Sequence, residues 1–147
     1  MVEPDRIKKL FDNLDGAIAR LRILQPLPRQ EFLADFTKSE SAKHLLQVSI
    51  QSCLDVCYHL IASEGWRAPR SSADAFAVLN EQGVIPDGFL PIAQQMVRFR
   101  NRLVHLYLEV DDIQVYDILQ TRLGDFERFI SYIRAFISTE EEEGTEL

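Results

Sequence analysis

The chain has 147 residues, 46% of them hydrophobic, and a formal charge of −7. That length suits one ordinary domain, with a core that hides roughly two thirds of the unfolded surface. The acidic balance argues against a generic duplex-coating protein, which would be basic, but permits a small cationic site because electrostatic fields are local.

Residues 4–24 read as a first helix, because Ile7, Leu10, Phe11, Leu14, Ile18 and Leu21 recur at helical spacing. Pro4 suits its first turn, and Pro26 and Pro28 end it. The N-terminal stretch MVEPDRIKKLFDNL lacks a signal-peptide core, and no uninterrupted apolar run approaches membrane-spanning length. The expected location is cytoplasmic, with no membrane partner.

A longer second helix is expected over roughly 38–63. Thr37 followed by Glu40 fits a capping box, and Phe32 and Phe36 just before it are expected to plug the end of the core. Leu45, Leu46, Ile50, Cys53, Leu54, Val56, Cys57, Leu60 and Ile61 spread around much of its circumference, so it should be a central helix with several neighbours. Gly65 is the expected stop. Cys53 and Cys57 are four apart, which is not a redox CxxC, and no further cysteine completes a zinc site. They read as buried free thiols.

A short helix should occupy about 72–82, capped by Ser71 with Asp74 at N3, before a loop marked by Gly83 and Pro86. A fourth helix is expected from about Asp87 to Tyr107. A fifth starts at Asp111–Asp112 and runs to about Thr139, with Val115, Leu119, Leu123, Phe126, Ile130, Ile133 and Ile137 as its core stripe. Strand alternation and repeats are absent from the sequence. The predicted fold class is all-α: an up-and-down four-helix bundle with an additional short helix. Residues 1–139 form the helical domain, and 140–147, which include EEEGTEL, form an acidic, frayed tail.

The segment RFRNRLVHLYLEV, Arg98–Val110, concentrates cationic side chains in this acidic chain. On an ideal helix Ile92, Met96, Phe99 and Leu103 face inward, while Arg98, Asn101, Arg102 and His105 share the other side. Asn101 and His105 are four apart and within reach of each other. Arg100 lies about 140° from His105 around a straight helix. Three arrangements reconcile them: the arginine stem wraps across, the helix distorts near His105, or a second subunit completes the cluster about a two-fold axis. The plainer alternative is three arginines on a solvated face, favoured by the helix dipole.

The string R-N-R-L-V-H-L-Y at 100–107 fits the R-x4-H-x-Y pattern of HepT-like proteins, a branch of the HEPN group. The flanking AKHLLQVSIQSCLDVCYHLIA, DAFAVLNEQGVIPDGF and RFRNRLVHLYLEVDDIQVYDIL look similar too, so the resemblance covers about residues 5–137. It implies a HEPN-like helical homodimer with paired motifs in an interface cleft. It also implies a metal-independent endoribonuclease without cofactor, the toxin of a type VII-like toxin–antitoxin pair. The partner would be a minimal nucleotidyltransferase antitoxin that adds AMP to the motif tyrosine. Carried over residue by residue, Arg100 and His105 are the catalytic candidates and Tyr107 is the modified residue. Asn101 matches the polar position after the arginine, and Asp55 matches an acidic position on the second helix, with Arg98 and Arg102 as RNA-binding support. Many relatives have Glu where this chain has Gln51, which weakens any role assigned there.

The chemistry is coherent. RNA brings its own nucleophile, the 2′-hydroxyl. His105 is suited to proton transfer near neutrality, and Arg100 presents planar donors to phosphate oxygens. The products would be a 2′,3′-cyclic phosphate and a 5′-hydroxyl. AMP on Tyr107 would add bulk and negative charge that hinder RNA entry. The rival readings are a non-catalytic nucleotide- or RNA-binding subunit of a nucleotidyltransferase complex and a purely structural dimer. Asp55 and His59, four apart, are either a surface pair or an inner-cleft pair, with structural use favoured for His59. His44 reads as an isolated surface residue. Trp66 is expected to seal its loop against the bundle.

Overall fold

Pro4 opens the first helix of the computed structural model, which describes residues 3–145. Helix α1 (Pro4–Leu24) buries Ile7, Leu10, Phe11, Leu14, Ile18 and Leu21, the stripe its periodicity predicts. A short helix, α2 (Arg29–Ala34), follows in a stretch to which the sequence assigns no element; it places Phe32 in the core as expected, 5.4 Å from the Tyr116 ring. Phe36 does not join it. That side chain is 75% exposed, because it begins the next helix on the solvent side.

Helix α3 (Phe36–Glu64) is the centre of the molecule and packs against all six other α-helices. Cys53, Leu54, Val56, Cys57 and Leu60 are fully buried in succession around it, so its broad apolar surface does serve several neighbours. By length and composition α3 is apolar enough to cross a membrane. Here its apolar faces are taken up by helix packing. The buried hydroxyls of Ser49 and Ser52 donate back to the carbonyls of Leu45 and Val48, which satisfies them inside the core. Both cysteines are free, and burial pushes both thiols well up from their ordinary value.

The cap of α3 is not the Thr37–Glu40 box. Asp35 is extended (φ −112°, ψ 103°), and its Oδ1 accepts from the backbone N–H and the hydroxyl of Thr37, at 2.9 and 2.6 Å. That leaves Glu40 free for a distant partner. At the other end Gly65 adopts φ +69°, and its N–H reaches the Ile61 carbonyl. A Cβ there would meet no atom within 4 Å, so only the backbone conformation demands glycine. Gly65→Ala is expected to lower stability by about 1–2 kcal/mol, read as a shift in urea midpoint at constant slope.

Trp66 packs edge-on against Phe136 at 5.7 Å, sealing its loop as expected. Arg67 holds the same loop by forked bonds to Asp74 and Glu81 at 2.7–2.9 Å. Helix α4 (Ser72–Glu81) starts as predicted, with Ser71 Oγ accepting from the Asp74 N–H, and its Phe76 packs edge-on against Phe129.

Helix α5 (Leu90–His105) is shorter than its periodicity suggests at both ends. It buries Ala93, Met96, Val97, Phe99 and Leu103, while Ile92 is only partly buried. Leu106 (φ −133°, ψ 41°) breaks the helix, and Tyr107–Glu109 form a 3-10 turn. The expected fifth helix is two helices. Helix α6 (Asp112–Thr121) ends where Arg122 leaves ideal geometry (φ −118°, ψ −1°), and α7 (Leu123–Thr145) begins at once. The buried stripe of Val115, Leu119, Leu123, Phe126, Ile130 and Ile133 continues across the break, so periodicity alone reads one helix. Helix α7 also runs beyond the expected end near Thr139. Residues 146–147 of the expected tail lie outside the described residues. The architecture is an all-α helical bundle.

Candidate ribonuclease site

The motif segment occupies the last two turns of α5 and the turn after it. Arg100 projects toward α3. Its Nη1 donates to Asn101 Oδ1 and its Nη2 to Gln51 Oε1, both at 2.7 Å. Gln51 Nε2 in turn donates to Asp55 Oδ1 at 2.9 Å. The four side chains form one relay, Asn101–Arg100–Gln51–Asp55. Gln51, discounted from the sequence, is its centre: an amide both accepts from the guanidinium and donates to Asp55, which a carboxylate could not do. Among the described residues, Asp55 therefore reaches Arg100 through Gln51 and not directly. The Arg100 Nε is buried without a hydrogen-bond partner among the described residues.

His105 is exposed at the C-terminal end of α5. Among the described residues no hydrogen bond joins it to Arg100 or Asn101; the Asn101 oxygen is already taken by Arg100. The helix stays α-helical through His105 and ends only after it, so no distortion brings the two catalytic candidates together within one chain.

Arg98 and Arg102 lie on the other flank. Arg102 donates to Gln114 Oε1 at 2.8 Å. With Arg122 they edge a cavity of about 450 Å3 between α3, α5 and α6, floored by Ile50, Met96 and Phe99. A second cavity, of about 530 Å3, lies between α1 and α3, and Gln51 and Asp55 line it together with Arg20 and His44. His44 is exposed, as expected, but shares this cavity rather than standing alone. His59 does not meet Asp55; its Nε2 accepts from the Glu3 backbone N–H at 3.3 Å, and burial lowers its pKa.

Tyr107 is partly buried, and its hydroxyl donates to Glu40 on α3. Lys43, one turn further along α3, sits 5.0 Å from the centre of the tyrosine ring. Its buried ammonium pairs with Glu40 at 3.6 Å and with Asp112, at the start of α6, at 3.0 Å. Burial, the bond to Glu40 and the charges of Glu40 and Asp112 push the phenol up to about 12.

The family described as Ribonuclease HepT-like matches residues 14–133. The chain belongs to the HepT-like ribonuclease family. It is 33% identical to the mRNA nuclease HepT of Shewanella oneidensis over 105 residues, 71% of this chain and 79% of the relative. It is 22% identical to the tRNA nuclease HepT of Aphanizomenon flos-aquae over 142 residues, 97% of each chain. Its fold matches the tri-AMPylated Shewanella oneidensis HEPN toxin solved in complex with an MNT antitoxin. The TM-score is 0.83 at 30% identity, over 90% of this chain and 99% of that one. The cytosolic YutE of Bacillus subtilis shares the fold alone, with a TM-score of 0.82 at 19% identity over 95% of this chain and 93% of that one.

In this HepT-like chain, sequence reasoning missed Glu40, Lys43 and Arg20 and undervalued Gln51. Glu40 carried a local signal, but one that pointed to a cap. Gln51 stands 49 residues from Arg100 and Glu40 67 residues from Tyr107, separations that periodicity does not connect.

Proposed function

We propose that this chain is the ribonuclease toxin of a toxin–antitoxin pair, cleaving RNA by attack of its 2′-hydroxyl and silenced when a minimal nucleotidyltransferase adds AMP to Tyr107. The observation that carries the reading is the Arg100 guanidinium, fixed by Asn101 and Gln51 in the same motif that leaves His105 exposed at the end of α5. His105 takes the 2′-hydroxyl proton or delivers one to the leaving 5′-oxygen. Arg100 donates to the non-bridging phosphate oxygens, whose charge grows as the fifth bond forms. Arg98 and Arg102 hold the RNA strand beside them.

The working unit is a homodimer of up-and-down helical bundles in which α1, α3, α5 and the α6–α7 pair are the long elements. Val104, Leu106, Leu108 and Ile113 are exposed around His105 and Tyr107, and Leu108 is 97% exposed. Apolar side chains at that density beside a cationic motif suit a second copy, which would set the Arg100 of one subunit near the His105 of the other. The acidic surface elsewhere suits a basic face on the antitoxin, and the location is cytoplasmic.

The relatives act on mRNA and on tRNA, so the test uses both. Incubated with either RNA in chelator, the purified chain is expected to release fragments with 2′,3′-cyclic phosphate and 5′-hydroxyl ends, identified by end-specific enzymatic labelling. Stoichiometric RNA binding with no turnover would point instead to a non-catalytic binding subunit.

A further inference from the structure

A tyrosine hydroxyl is a weak nucleophile until its proton is taken, so the acceptor of that proton matters as much as the tyrosine. The sequence contains four tyrosines. The Tyr58 hydroxyl meets Ser72 Oγ, Tyr116 donates to the Leu27 carbonyl, and Tyr132 accepts from Arg128. Tyr107 alone, among the described residues, has its hydroxyl on a carboxylate, that of Glu40. Lys43 fixes this pair from both sides: its ammonium lies over the Tyr107 ring and is ion-paired to Glu40 and to Asp112.

We propose that Glu40 is the general base for AMP transfer to Tyr107, so that the toxin itself carries a catalytic group for its own inactivation. The inference rests on the reading of Tyr107 as the acceptor. In the step, Tyr107 Oη attacks the α-phosphorus of ATP held by the nucleotidyltransferase. The new O–P bond forms as the bond from the α-phosphorus to the bridging oxygen breaks, and pyrophosphate leaves. The phenolic proton passes along the existing hydrogen bond to the Glu40 carboxylate and then to water. The same contact accounts for the choice of tyrosine, since among the described residues the hydroxyls of the other three meet Ser72, the Leu27 carbonyl and Arg128 rather than a carboxylate. Free ionisation is a poor alternative, because burial and the two facing carboxylates hold the phenol near 12.

The test incubates the full-length chain with its cognate nucleotidyltransferase and ATP labelled at the α-phosphate, following the initial rate of label at Tyr107 across a pH series. Glu40→Gln keeps the side-chain shape and an acceptor for the hydroxyl but is not a base. It is expected to slow labelling about 100-fold. Its rate should also rise roughly tenfold per pH unit, because only the phenolate then reacts, while the native chain gives a shallow profile. The charged groups facing the hydroxyl are Glu40, Lys43 and Asp112, and the last two are unchanged in this variant. Glu40→Asp retains a base and should keep the shallow profile at a reduced rate, which also covers the case that Glu40→Gln folds poorly. Native-like rate and profile in Glu40→Gln overturn the proposal, as does a steep profile in Glu40→Asp. If the native chain takes no label at Tyr107, the assignment of Tyr107 as the acceptor fails, and this inference fails with it.

Discussion

His105→Ala is expected to reduce RNA cleavage in chelator about 100- to 10,000-fold while leaving the fold intact. The ring is exposed at the end of α5, and among the described residues it makes no hydrogen bond. Its removal creates no cavity and strands no buried polar group, so the thermal midpoint should stay within a degree or two of the native value. This separates chemistry from folding more cleanly than any other position in the motif. The comparison is single-turnover cleavage of a defined RNA by native and variant chains, with RNA binding measured in parallel. A variant that binds RNA normally and no longer cuts it is the expected pair of results. Undiminished cleavage by His105→Ala would remove the histidine from the mechanism.

Arg100→Lys should cost about 100- to 1,000-fold in cleavage, and unlike the histidine change it should also affect stability. The guanidinium donates at once to Asn101 Oδ1 and Gln51 Oε1, and it does so from two terminal nitrogens in one plane. A lysine ammonium is a compact point charge and cannot reproduce that fork while also meeting a phosphate. The part-buried Gln51 oxygen loses its donor, which is worth about 1–3 kcal/mol. The measurements are cleavage in chelator and urea unfolding of the same preparation, with Gln51→Ala as a companion. If Gln51 acts only by aiming Arg100, its removal lowers cleavage while the arginine's charge remains. Full cleavage by Arg100→Lys would show that charge alone suffices and that the planar fork is incidental.

The two effects differ in kind because the structure treats the two residues differently. Arg100 is built into the bundle, tied through Gln51 to Asp55 on α3. His105 stands at the point where α5 gives way to the Tyr107–Glu109 turn. That turn is itself fastened to α3 by Glu40 and Lys43, and Lys43 is ion-paired in turn to Asp112 at the start of α6. AMP on Tyr107, as proposed above, would therefore load the turn that adjoins the histidine and add negative charge beside it.

Much of the fold was legible in the sequence. The apolar spacings of α1 and α3, the Ser71 cap of α4, the stop at Gly65 and the stripe shared by α6 and α7 are local properties of a 3.6-residue period and of turn chemistry. The motif string and its family likeness are also carried by the sequence alone. Phase and rotamer lay beyond it. Helix α5 ends where Leu106 leaves helical geometry, although the residues around it have no proline or glycine to announce a stop. The α6–α7 break falls at Arg122, inside an unbroken apolar stripe.

By itself, then, the sequence determined most of the long helices with their buried faces, the family, and the motif that holds Arg100, His105 and Tyr107. Only the tertiary structure decided which neighbours those residues have: Gln51 for Arg100, Glu40 and Lys43 for Tyr107, and no hydrogen-bond partner among the described residues for His105. The physical reason is that periodicity fixes which face of a helix turns inward. The meeting of two polar side chains from different helices depends instead on the axial offset and rotation at which those helices pack, and these are set by the whole core at once.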